Sequence, residues 1–89
     1  MSRIQRAMLK CVDAQVVVDQ FESAAKSTAA TVIPMGIRAS DLAVWREEQL
    51  NPSNHPEWQH AIERRNALVG NAGMSLEEWL QYWNEARGR

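Results

Sequence analysis

Cysteine occurs once in the 89 residues, at Cys11, so no disulfide within the chain can brace the fold. Glycine is scarce as well. Gly36, Gly70, Gly73 and Gly88 each stand alone near a break in the helical pattern, which excludes a glycine-rich phosphate loop. The only histidines are His55 and His60. No uncharged apolar run approaches the roughly 18 residues of a membrane span. Lys10, Asp13 and Asp19 interrupt every apolar stretch near the start that would otherwise serve as the core of a targeting peptide. Charge of one sign is missing too. The net value is −1, with five Lys/Arg against three Asp/Glu in residues 1–39 and five against eight in residues 40–89. Positive residues interleaved with carboxylates make no basic stripe, so nucleic acid is an unfavourable partner. Together these absences predict a cytoplasmic chain with no membrane segment and no cofactor.

Present instead is a single long amphipathic helix at the start, over about residues 3–27. Ser2 with Gln5 forms a Ser-x-x-Gln capping box at its beginning. Ile4, Ala7, Cys11, Ala14, Val18, Phe21 and Ala25 alternate in steps of three and four and line one side as a seam. Cys11 lies in that seam, where a thiol behaves as a small buried hydrophobe. At about 100° per residue, Leu9, Val12 and Val16 fall well round from the seam, with Met8 between. A surface helix normally carries an apolar stripe only somewhat over 100° wide. The surplus strip therefore calls for a cover of its own, and the expected cover is a second chain in a homodimer or a docked protein.

A hydrophobic content of 45% over 89 residues suffices for one modest core, hence one domain over residues 1–89. After the long helix (2–28) comes an apolar connector, 29–39, in which Thr31–Ile33 has the β-branched character of a short strand. Val32, Ile33, Met35 and Ile37 are expected to plug one end of the core. Ser40 opens a second helix over about 41–50, with Leu42 and Trp45 inward, and Asn51-Pro52 stops it. Pro56 fits the first turn of a third helix, about 56–69, with Trp58, Ala61, Ile62, Leu68 and Val69 as its apolar stripe and Gly70 as its left-handed terminator. Ser75 with Glu78 makes a second capping box for a fourth helix, about 76–87, bearing Leu76, Trp79, Leu80 and Trp83. The fold class is all-α, a small helical bundle.

Four tryptophans sit on these short helices. Trp45 and Trp58 read as core bulk. Trp79 and Trp83, one helical turn apart on a terminal helix beside Tyr82, read with Met74 as an interface, because aromatic residues dominate the energetics of contact surfaces. Residues 35–46 resemble the turn and second helix of a repressor-type helix-turn-helix, with Gly36 in the turn and Leu42 and Trp45 inward. That resemblance implies a DNA-binding regulator using 35–50, in which Arg38 and Arg46 meet phosphates. Against it, Pro34 and β-branched Val32 and Ile33 occupy the end of the would-be first helix, and Asp41, Glu47 and Glu48 share the outer face. Glu57-x-x-His60 has the spacing of one half of a di-iron carboxylate site, which needs the motif twice plus two further carboxylates. The sequence thus predicts a small non-enzymatic adaptor or inhibitor that occupies a partner's surface, dimeric itself, through Leu9, Val12, Val16, Met74, Trp79, Tyr82 and Trp83.

Overall fold

A computed structural model describes residues 2–88. It contains four α-helices: α1 (Arg3–Thr31), α2 (Ala39–Gln49), α3 (Pro56–Asn71) and α4 (Leu76–Ala86). A single 3-10 turn, Pro52–Asn54, joins α2 to α3. No strand forms among the described residues, and no helix is long and apolar enough to cross a membrane.

Both capping boxes form. The Gln5 amide donates to Ser2 Oγ at 3.1 Å while the Ser2 amide donates to Gln5 Oε1 at 2.9 Å. Ser75 and Glu78 repeat the exchange at 3.1 and 3.3 Å. Two free amides at the start of each helix are thereby satisfied.

The long helix runs four residues past its expected end at 27. Ala29 and Ala30 are strong helix formers, Ala29 is buried where α2 folds back along α1, and Thr31 Oγ1 returns its proton to the Ser27 carbonyl at 2.7 Å. Helix geometry ends only at Val32, two residues short of Pro34, which disfavours the helical region for Ile33. Thr31 is therefore the last helical residue and not the start of a strand. The connector does not plug the core. Pro34 to Ile37 forms a reverse turn with Gly36 at φ 79°, closed by the Ile37 amide on the Pro34 carbonyl at 3.4 Å. This turn aims Met35 into solvent at 96% exposure and leaves Val32 and Ile33 exposed, with Ile37 half-buried. Ser40 does not cap α2 either. The cap position falls on Arg38, which makes no side-chain bond to the helix.

The chain returns along α1 in α3. Pro56 and Glu57 lie beside Phe21, Arg65 reaches Gln15, and Leu68 and Asn71 border Ala7 and Lys10. The core centres on Cys11, Val69 and Trp79, with Met8, Val12, Leu68, Ala72, Met74, Leu80 and Trp83 packed against it. It therefore occupies the half of the molecule nearer the start of α1. A 29-residue α1 is about 44 Å long, and the molecule measures 55 × 27 × 19 Å. Its radius of gyration of 16.2 Å exceeds the roughly 12 Å of a compact chain of this length.

Gly70 lies inside α3, and the left-handed residue is Gly73, at φ 81°. The Met74 amide donates to the Val69 carbonyl at 3.2 Å and the Gly73 amide to the Gly70 carbonyl at 3.0 Å. This is the paired bonding of a Schellman motif, and Met74 supplies its usual apolar contact with Val69. The two glycines should consequently respond in opposite directions. Gly73→Ala forces a Cβ into left-handed backbone and should cost about 1 to 2 kcal/mol. Gly70→Ala meets nothing within 4 Å and should add about 0.5 to 1 kcal/mol of stability. Urea midpoints of the two variants check this.

Candidate functional site

Two residues that an apolar pattern passes over organise the region between α1, α3 and α4. Gln15 lies one turn beyond Cys11 in α1 and is buried, as is Arg65, which fills the gap between Ile62 and Leu68 in α3. Gln15 Oε1 accepts from Trp79 Nε1 at 2.9 Å and from Arg65 Nη1 at 3.2 Å. Its Nε2 donates to Asp19 Oδ1 at 2.8 Å. Asp19 Oδ2 in turn accepts from Trp83 Nε1 at 3.0 Å and from Arg87 at 2.8 Å. Arg87 also lies over the Trp83 ring at 5.5 Å, and Trp79 stacks on Trp83 with centroids 5.8 Å apart. Burial lowers the Arg65 pKa from its ordinary value, an effect partly opposed by the negative charge of Asp19. Arg65 also donates to Asn66 Oδ1, at 3.0 Å from Nε and 2.9 Å from Nη2. No Cα of α4 comes within 8 Å of one in α1, so long side chains alone join these two helices.

This network removes Trp79 from the contact surface expected on α4. Trp79 is completely buried and belongs to the core. Trp83 is half-buried with its N–H committed to Asp19, and Met74 is half-buried in the Schellman contact. A terminal helix finds enough neighbours here because α1 is long enough to run beneath it. Tyr82, in contrast, is 45% exposed.

On α1 the surplus strip divides. Leu9 is 49% exposed and Val16 40%, while Val12 is half-buried against the core cluster. Ile4, the first residue of the expected seam, is 76% exposed, because α3 ends beside Ala7 and Lys10 and leaves the first turn of α1 uncovered. Ile4, Gln5, Met8, Leu9 and Val12 together with Tyr82 line an apolar groove of about 600 Å³ between α1 and α4. The structure thus brings Leu9, Val12 and Tyr82 together, places Val16 one turn further along, and removes Trp79.

The remaining candidates are dispersed. Arg38, at the cap position of α2, and Arg46, within it, are exposed, and the outer residues of α2 also include Asp41, Glu47 and Glu48. Glu57 and His60 are both exposed in the first turns of α3. No group of three or more His, Cys, Asp or Glu side chains gathers in metal-binding geometry among the described residues. Cys11 is fully buried, and burial raises its thiol pKa. A second concavity, about 510 Å³, lies against the later half of α1, between Phe21, Thr28, Gln49, His55 and Trp58. His55 bonds the Gln49 carbonyl at 3.1 Å and packs on Trp58 at 5.9 Å between centroids. Trp58 Nε1 is buried with no partner among the described residues. Comparison with protein-family models, characterised proteins and solved structures gives no match for the chain.

The two buried indoles should therefore differ. Gln15→Met removes the acceptor of a buried N–H and a buried guanidinium and should cost about 3 kcal/mol, whereas Trp58→Phe discards an unpaired N–H and should offset much of its lost packing. Chemical denaturation of both variants measures the contrast. Cys11 should react with a thiol reagent only on unfolding. Because its pKa is raised in the folded state, the unfolded thiol ionises first, and stability should fall as pH rises beyond the ordinary thiol range.

Proposed function

We propose that this chain is a small protein–protein interaction module, an adaptor or inhibitor that acts by occupying a partner's surface, works as a dimer, and performs no chemistry of its own. The observation that carries this reading is the groove of α1 and α4. Ile4, Leu9 and Tyr82 hold large apolar area in water around a depression of about 600 Å³. Contiguous exposed apolar surface of this kind on a small protein marks a contact site. Both walls of the groove are tied to one polar network, Trp79 and Trp83 of α4 donating to Gln15 and Asp19 of α1. A preformed surface loses little conformational freedom on binding, so more of its contact energy appears as affinity. Supporting the non-catalytic part of the reading, the sole thiol is sealed and held protonated, and His55 is committed to a backbone carbonyl.

Leu9 and Tyr82 are exposed, so changing them should leave the fold intact while removing an anchor. Loss of such an anchor typically costs about 2 kcal/mol or more, roughly thirtyfold in affinity. The immobilised chain should retain protein from its native host, or an added untagged copy, and Leu9→Asp should release what is retained at unchanged helicity by circular dichroism. Identical retention by the wild type and a Leu9→Asp/Tyr82→Ser variant sinks the reading.

A further inference from the structure

We infer that the occupant of this face is a second copy of the chain, its α1 laid antiparallel on the first about a two-fold axis at Leu9. The inference rests on the binding reading above and names its partner.

Surface area is the first support. The chain exposes 6483 Å², against about 5,300 Å² for a compact monomer of 10.1 kDa. The excess, about 1,200 Å², is more than the roughly 800 Å² that each partner buries in a standard interface. Part of it lies along α1, where Gln5, Leu9 and Val16 are exposed. At about 100° per residue, exposed Gln5, Leu9 and Val16 and half-buried Val12 fall within an arc of about 60°, and no charged residue enters that arc over the first five turns.

Charge supplies the direction. Arg6 and Asp13 are exposed, opposite in sign, two turns apart, and lie on one edge of this stripe, the edge away from the Met8 and Tyr82 wall. A two-fold at Leu9 sets Leu9 of each copy against Leu9 of the other and Val16 over the other's first turn. The same rotation brings Arg6 of each copy to within one residue of level with Asp13 of its mate, close enough for two reciprocal ion pairs between long side chains, as a self-complementary two-fold contact requires. A parallel two-fold would instead put the Arg6–Asp13 edges of the two copies on opposite sides of the seam, where these residues form no ion pair.

Sedimentation equilibrium of the full chain tests this. The wild type should be a concentration-dependent dimer, and Leu9→Asp a monomer. Arg6→Asp and Asp13→Arg should each raise the dissociation constant about tenfold, since each replaces two attractive pairs with two repulsive ones. The double variant Arg6→Asp/Asp13→Arg should restore wild-type association, which simple exposure of the two residues would not produce. A dimer indifferent to the single reversals, or one not rescued by the double, overturns the antiparallel pairing. A wild type that stays monomeric at every concentration overturns self-association itself. In either case Leu9-dependent retention of an unlike protein would leave the broader binding reading standing, while loss of all Leu9-dependent retention would end both.

Discussion

A single carbonyl oxygen, Gln15 Oε1, holds three helices to one another. It accepts from the indole of α4 and the guanidinium of α3 while its own amide hands the connection on to Asp19. A primary amide is suited to this position because it offers an acceptor with two lone pairs and a separate donor on the same planar group. A buried Arg65 without such partners would carry a heavy desolvation cost, and a buried Trp79 N–H a smaller one. An apolar residue at 15 would pack against the Trp79 ring in any of several sliding positions. The hydrogen bond accepts one, and so fixes how α3 and α4 stand on α1.

From that constraint follows the lopsided build of the molecule. Cys11, Val69 and Trp79 seal one half around the network, and here α4 is spaced from α1 by the width of an indole because its Cα atoms stay beyond 8 Å. This spacing leaves a depression between the helices where Met8, Val12 and Tyr82 meet solvent instead of each other. The apolar groove is thus a by-product of joining two helices through long polar-tipped side chains.

Much of the fold was legible because its signals are local. Ser2 with Gln5 and Ser75 with Glu78 declare two helix starts within four residues each, Pro56 declares a third, and the three-and-four spacing of Cys11, Ala14 and Val18 marks the buried side of α1. The termini were harder. Thr28 and Thr31 weigh against helix on propensity, yet burial of Ala29 under α2 outweighs them. Gly70 and Gly73 both suit a helix end, and only the backbone bonding distinguishes them. Leu9 and Val16 could be read as surface from the excess apolar width of α1, and Tyr82 from its place among the aromatics of α4. Trp79 could not be read as core, because its burial depends on Gln15, sixty-four residues away, and hydrophobic pattern takes no account of a glutamine. The signal was nonetheless present: the apolar stripe of α3 skips the turn at Arg65, and Gln15 falls between Cys11 and Val18 on the seam.

The second helix has a different fate from the other three. None of its residues is fully buried, its start lacks a side-chain cap, and it is tethered to α1 by a solvent-facing turn at Gly36. A segment with so little enclosed area has the least free energy holding it in place, so it is expected to open before the rest of the chain. The later turns of α1 would then be unsheathed intermittently while the Cys11 end stays shut. One continuous rod thereby joins a sealed half to a thinly covered one.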